Sequence, residues 1–179
     1  MDIVELWRIY WPDWTPATII AGFIGITVLM FPMLVRVKNK ALSVGRFAAM
    51  LILLIWLYWV YASCVFCRSS YADYHYILKP LWSYELILKN HNRFMLHEIL
   101  LNCIMLIPVG VLFPIAFDCK SLLDTTVFGF LCSFGIEVMQ LCFKRGLFEW
   151  DDMLHNTIGV LAGFLVLKLV QKAYASLAK

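Results

Sequence analysis

Two stretches of the chain, residues 17–35 and 47–66, run apolar without a single charged side chain. A helix rises about 1.5 Å per residue, so about 20 such residues cross the roughly 30 Å of hydrocarbon in a bilayer. Arg36, Lys38 and Lys40 close the first stretch, and Arg46 and Arg68 frame the second. A third run covers residues 97–117. From 99 onward its strongly polar side chain is Asn102, while Pro108 and Pro114 predict a kinked span whose freed carbonyls are satisfied by neighbouring helices. Residues 122–143 form a fourth run, with Asp124 near its start and Glu137 and Gln140 near its end. The fifth, residues 153–173, carries Lys168 and Lys172 where they can snorkel toward the nearer interface. The pattern predicts an all-α, polytopic helical membrane protein with about five transmembrane helices.

Composition agrees. Of 179 residues, 63% are apolar and 15% charged, and the mean hydropathy is +0.80. A soluble domain averages about 45–50% apolar and about 25% charged residues, so this chain has too little polar surface to cover a globule in water. The length suits one membrane domain over residues 1–179, with nothing left for a second, soluble one. The first apolar run is expected to be retained rather than cleaved as a signal peptide. Its start is acidic (Asp2, Glu5, Asp13), and its basic cluster follows the apolar stretch instead of preceding it. Trp7, Trp11 and Trp14 fall at helical spacing ahead of it and predict a short N-terminal interfacial segment, limited by Pro12.

Charge placement sets an expected orientation. Residues 36–46 hold four basic side chains and no acid, which puts that loop in the cytoplasm, the N-terminus outside and the C-terminus inside. Five spans then place Lys120, Lys168, Lys172 and Lys179 inside too, eight basic residues against seven outside: Arg8, Arg68, Lys79, Lys89, Arg93, Lys144 and Arg145. The segments 67–93 and 144–152 share the outer face. The net charge of +3 is scattered along the loops, so nucleic acid is not an expected partner. The six cysteines (Cys64, Cys67, Cys103, Cys119, Cys132, Cys142) sit mostly in apolar runs as small hydrophobes. Cys64 and Cys67 are a single CxxC pair with no second pair to complete a zinc site.

The informative residues are ionisable or strongly polar groups at depth, each costing about 2.5–3.5 kcal/mol to insert unless it has a partner or a wet site. They cluster in the C-terminal half. Glu98 and Asn102 share a face of the third span, and Glu137 and Gln140 share a face of the fourth. After a short turn holding Arg145 and Gly146 come Asp151, Asp152 and Asn156, and then Gly159 and Gly163 in a GxxxG pattern that permits close helix approach. The short connection makes the fourth and fifth spans antiparallel neighbours. Glu137, Gln140, Arg145, Asp152 and Asn156 thus gather at one end of a hairpin. One reading is a structural clasp in which Arg145 neutralises Glu137 or Asp152. The other is an outward-facing pocket in which Arg145 grips an anionic group while Glu137 and Asp152 hold a divalent cation, magnesium or manganese, or act as acid and base. Asp151 is expected to face solvent or to cap the fifth helix.

The 27 residues 67–93 are aromatic-rich, with Tyr71, Tyr74, Tyr76, Trp82 and Tyr84 beside His75 and Lys79-Pro80. Such a segment reads equally as an interfacial aromatic belt or as a lid over the pocket. His91 and His97 offer no ligand spacing and are expected at the interface.

Residues 102–114, NCIMLIPVGVLFP, resemble the N-hydrophobic-(F/I)-P-x-G segment of the VanZ-like membrane proteins. The string Glu137-x-x-Gln140, Arg145, Asp151-Asp152, Asn156-Thr157-Ile158-Gly159 is similar to the second hallmark of that family, and Lys79-Pro80-Leu81-Trp82 to a stretch that often precedes it. The resemblance spans residues 57–167 with order and spacing intact; His155 departs from the aliphatic pattern before Asn156 without displacing a motif position. By resemblance, the recurring polar and packing positions are Asn102, Pro108, Gly110, Glu137, Gln140, Arg145, Asp152, Asn156 and Gly159. The namesake's association with low-level resistance to teicoplanin, a lipoglycopeptide that binds cell-wall precursors, implies a protein of the bacterial cytoplasmic membrane. Its expected partners are the lipid bilayer and a lipid-linked cell-wall precursor or the lipoglycopeptide itself. The pocket reading gains weight, because the family positions are the residues that insertion cost singles out. In it Arg145 binds a headgroup, Glu137 and Asp152 hold a cation or move protons, and Asn102, Gln140 and Asn156 orient them. The alternatives are an intramembrane metal-dependent hydrolase or transferase acting on polyprenyl or phospholipid phosphates, and a structural or partner-binding subunit.

Overall fold

A computed structural model describes residues 11–91 and 93–177, the side chain of Arg93 excepted. Trp7 and the remainder of the expected interfacial segment before residue 11 lie outside the described residues, as do Arg8 and Lys179. Among the described residues the chain forms six α-helices: α1 (Pro16–Lys38), α2 (Val44–Tyr61), α3 (Trp82–Asn90), α4 (Arg93–Phe117), α5 (Leu122–Phe143) and α6 (Trp150–Leu177). A π-helical turn, Ala62–Phe66, extends α2. Two short strands, β1 (Tyr76–Ile77) and β2 (Phe148–Glu149), pair in parallel. Five helices are long and apolar enough to cross a membrane: Pro16–Lys38, Val44–Phe66, Phe94–Phe117, Leu122–Phe143 and Trp150–Leu177. This is a helical membrane protein.

The helix starts follow from local chemistry. Thr15 and Thr18 form a reciprocal capping box on either side of Pro16, and Ser43 and Ser121 accept from the Arg46 and Asp124 amides at 3.3 and 3.1 Å. Arg46 Nε donates to the Ala116 carbonyl at 3.1 Å, placing a cation on orphan acceptors at the C-terminal end of α4. The fifth span begins at Trp150, earlier than the hydropathy pattern indicates, because Asp151 and Asp152 are favourable in a first turn.

Packing centres on α4 and α6. A Cβ on Gly159 would lie 1.8 Å from the Cys103 carbonyl oxygen, one on Gly163 2.1 Å from that of Ile107, and one on Gly110 2.0 Å from that of Val160. Side chains are excluded where these two backbones touch. Leu53, Val60, Val65, Leu106, Val109, Ile136 and Val160 form the buried core between α2, α4, α5 and α6. The outer helix α1 buries Gly22 and Met30 and leaves Phe23, Val28 and Phe31 exposed, the surface expected against lipid. Trp11 and Trp14 pack on α2 aromatics, 6.3 Å from Trp59 and 6.1 Å from Tyr58 between ring centroids.

Residues 71–83 are folded against the turn before α6 and its first residues. Strand β1 lies beside β2, and the Tyr71 amide donates to the Lys144 carbonyl at 2.7 Å. Helix α3 is tied at its start to α6. Asp151 is buried, and its carboxylate accepts from the Leu81 amide at 2.6 Å, the Ser83 amide at 3.0 Å and the Ser83 hydroxyl. Asp151 therefore caps α3, neither facing solvent nor capping its own helix, because the unsatisfied amides at the start of α3 are the strongest nearby donors. Leu81 holds φ 59, a left-handed conformation that costs a branched residue about 1–2 kcal/mol and that the Asp151 hydrogen bond offsets. On the exposed side, Glu85 bonds Lys79 and Lys89, and the Lys79 hydrogen bond foremost holds its carboxyl down at about 2.

Candidate functional site

The starts of α1, α4 and α6 and the ends of α2 and α5 meet at one end of the bundle around a cavity of about 530 Å³. Glu137 and Gln140 from α5, Asp152 and Asn156 from α6 and Asn102 from α4 all line it. The walls also carry Trp82, from the aromatic segment that the sequence offered as a lid, and residues not marked as site candidates: Arg68 beyond α2, Glu149 from β2, His155 from α6 and Ser83 from α3. The aromatic segment thus supplies part of the wall through Trp82 and Ser83, while Tyr74 and Tyr76 stay exposed.

Hydrogen bonds order the acids. Asn102 Nδ2 donates to Asp152 Oδ1 at 2.6 Å, and the Glu149 amide donates to Glu137 Oε2 at 2.9 Å. Trp82 Nε1 donates to Glu149 Oε2 at 3.0 Å. Burial, reinforced by the Asp152 carboxylate, pushes the Glu149 carboxyl up to about 8. His155 is fully buried, with Nε2 3.0 Å from the Tyr84 hydroxyl and Nδ1 3.9 Å from Asp152 Oδ1. Asn156 Nδ2 donates to Ser133 Oγ at 2.8 Å, and Gln140 Nε2 to the Cys64 carbonyl at 3.2 Å. Each amide thereby commits its donor to the protein, and Gln140 Oε1 and Asn156 Oδ1 remain buried acceptors without a partner, as does His155 Nδ1.

Arg145 stands elsewhere. Its Nη1 donates to the Phe66 carbonyl at 2.7 Å, and its side chain is absent from the cavity wall; it pairs with neither Glu137 nor Asp152. The π-helical turn explains this placement, because its terminal carbonyls lack intrahelical donors and attract cations. Arg68 Nε answers the Ser63 carbonyl at 3.1 Å, Gln140 the Cys64 carbonyl and Arg145 the Phe66 carbonyl. Among the described residues Arg68 is the arginine on the cavity wall, where the sequence pattern places Arg145. Glu149 had a signal in the sequence, lying in the acid-rich stretch 149–152. Arg68 had none, since nothing local says that the end of α2 abuts the ends of α5 and α6.

Gly110, Gly159 and Gly163 lie at the α4–α6 contact below the cavity. Pro108 lies within α4 and removes the helical donor of the Ile104 carbonyl, and Trp56 Nε1 donates to the adjacent Met105 carbonyl at 2.9 Å. The CxxC cysteines Cys64 and Cys67 are free thiols on the cavity wall. Among the described residues, no group of three or more His, Cys, Asp or Glu side chains converges to hold a metal ion. The chemistry these described residues offer is hydrogen-bond acceptance and negative charge, offset by the guanidinium of Arg68.

A family model, VanZ/LLP1, matches residues 47–171, which run from the first turn of α2 through most of α6 and contain nearly all of the described cavity wall. The protein VanZ of Enterococcus faecium is 31% identical over 131 residues, 73% of this chain and 74% of its own length. No solved structure matches the chain at a significant level. The matched region carries both the five-residue polar cluster around the cavity and the glycine contact beneath it, and the chain that builds them belongs to the VanZ/LLP1 family.

Proposed function

We propose that this protein is a multi-pass protein of the bacterial cytoplasmic membrane that lowers susceptibility to teicoplanin-type lipoglycopeptides, or supports envelope homeostasis. It does so through a polar cavity open to the outer face, acting on a lipid-linked or acyl-bearing ligand. The observation that carries the reading is the convergence of Asn102, Glu137, Gln140, Asp152 and Asn156, from three helices, on one cavity of about 530 Å³. A merely structural clasp would satisfy its own polar atoms; here Gln140 Oε1 and Asn156 Oδ1, on residues that line the cavity, are buried without a partner. The basic loop 36–46 favours a cytoplasmic location for the opposite end of the bundle and hence an outward cavity.

Glu137 and Asp152 are the acid–base or charge-bearing groups, Asn102 sets the Asp152 carboxylate, and Arg68 takes the headgroup role that the sequence offered to Arg145. The acids are spread round the wall instead of gathered on one point, which supports hydrogen-bonded recognition over an intramembrane hydrolase or transferase built on magnesium or manganese. The test is complementation of a strain lacking the protein, with teicoplanin susceptibility as readout. Asp152→Asn and Glu137→Gln, inserted at wild-type levels, are expected to lose the protection. Retention of protection by both variants would assign the polar cluster to packing and leave the structural-subunit reading.

A further inference from the structure

The cavity is unbalanced in two ways. Among the described residues five acidic side chains line it, Asp13, Glu98, Glu137, Glu149 and Asp152, against the single guanidinium of Arg68. Its unpartnered buried atoms include two amide oxygens, Gln140 Oε1 and Asn156 Oδ1, each belonging to a residue more than nine-tenths buried whose amide nitrogen already donates to the protein. A buried acceptor without a donor costs about 1–3 kcal/mol, so two of them in one wall mark a place built for incoming N–H or O–H groups. An anion would add negative charge to the acids and satisfy neither amide oxygen. A small hard cation takes about six or more oxygens at about 2.0–2.6 Å, and among the described residues no three acids converge closely enough to begin such a shell, whereas an ammonium needs no more than three acceptors at hydrogen-bond distance.

We propose that the cavity binds a lipid headgroup bearing a primary ammonium, whose three N–H donors and positive charge are shared among the Glu137 and Asp152 carboxylates and the Gln140 and Asn156 amide oxygens. The inference rests on the reading above that the cavity takes a ligand. The aromatic side chains of Trp11, Tyr71 and Trp82 in the same wall suit a cation, which aromatic rings attract. Arg68 is placed to neutralise a phosphate that accompanies the ammonium on a zwitterionic headgroup. The volume of about 530 Å³ lies in the range of small-ligand sites and accommodates a headgroup without its acyl chains. A lipid is the natural carrier, because the cavity lies among the ends of membrane-crossing helices.

The test uses the full-length protein in maltoside micelles, titrated with dihexanoyl-phosphatidylethanolamine and followed by microscale thermophoresis. Dihexanoyl-phosphatidylcholine is the control, since its quaternary ammonium keeps the charge and phosphate but has no N–H. Saturable binding of the ethanolamine lipid, at least about tenfold tighter than the choline lipid, is expected, because each lost charge-assisted hydrogen bond is worth that much. Glu137→Gln and Asp152→Asn should each weaken the ethanolamine lipid by about tenfold at unchanged melting temperature. Equal binding of the two lipids, or binding of neither, overturns the ammonium site, and this comparison needs no variant to fold. Competition by free ethanolamine as strong as by the lipid overturns the assignment to a lipid headgroup. Loss of teicoplanin protection in the charge-neutral variants, without lipid discrimination, would leave the cavity reading standing and remove the ammonium.

Discussion

Replacing Asp151 by Ala tests whether the wall of the cavity hangs on one carboxylate. Two backbone amides, of Leu81 and Ser83, donate to it at 2.6 and 3.0 Å, and the Ser83 hydroxyl adds a third contact. Hydrogen bonds to a charged group contribute about 1.5–3 kcal/mol each, so the two amides give about 3–6 kcal/mol in gross terms. Undocking α3 relieves the left-handed strain at Leu81, about 1–2 kcal/mol, which returns part of that. The Trp82–Glu149 and Tyr84–His155 contacts persist in the variant and limit the opening. The net loss is about 2–4 kcal/mol, which corresponds to roughly 30- to 700-fold faster amide exchange where reclosing is fast and the opening equilibrium sets the rate. Hydrogen exchange with mass spectrometry in micelles reads this directly: peptides covering residues 78–90 should lose protection, while those from the middle of α4 and α6 keep theirs. Asp151→Asn should fall on the same side, since its amide N–H₂ would oppose an amide donor. Unchanged protection at residues 81–85 in Asp151→Ala would refute the capping argument.

Three further outcomes follow from the geometry. Gly159→Ala places a methyl carbon within 1.8 Å of the Cys103 carbonyl and should lower the melting temperature by an equivalent of about 1–3 kcal/mol or more, whereas Gly25→Ala, with nothing within 4 Å, should leave it unchanged; equal effects would refute the backbone contact. Glu149 protonates more readily in the folded protein, at about 8 against an ordinary 4.5, so its contribution to stability is full below 4.5 and falls as pH rises through about 8. Glu149→Gln should flatten the melting-temperature profile across that window, and a wild-type slope in the variant would assign the pH dependence to another group. Arg145→Ala should cost about 1.5–3 kcal/mol through the Phe66 carbonyl without weakening ligand binding. A binding defect in an Arg145 variant of unchanged melting temperature would return that residue to the cavity.

The spans were legible because lipid imposes its demand residue by residue: runs such as 47–66 have no charge to spend, and the core boundaries fall within a few positions of the observed helices. The polar cluster was legible for the same reason, since Glu137, Gln140 and Asn156 violate that demand. What hydropathy does not carry is pairing across distance. Arg68 and Arg145 are both arginines just outside a span, and which of them meets the cavity depends on how a π-helical turn ends. Helix α3 was hidden in an aromatic segment because its cap, Asp151, lies far downstream, and a capping signal is sought among adjacent residues.

That downstream position orders the assembly of the protein. A chain inserted from its N-terminus delivers α3 and β1 before the residues that complete them exist, for β2 and Asp151 follow the whole of α5. Until then the start of α3 has bare amides and Leu81 has no reason to turn left-handed. The cavity is closed by the last span, and a chain stalled before residue 148 would hold four membrane helices around an unfinished site.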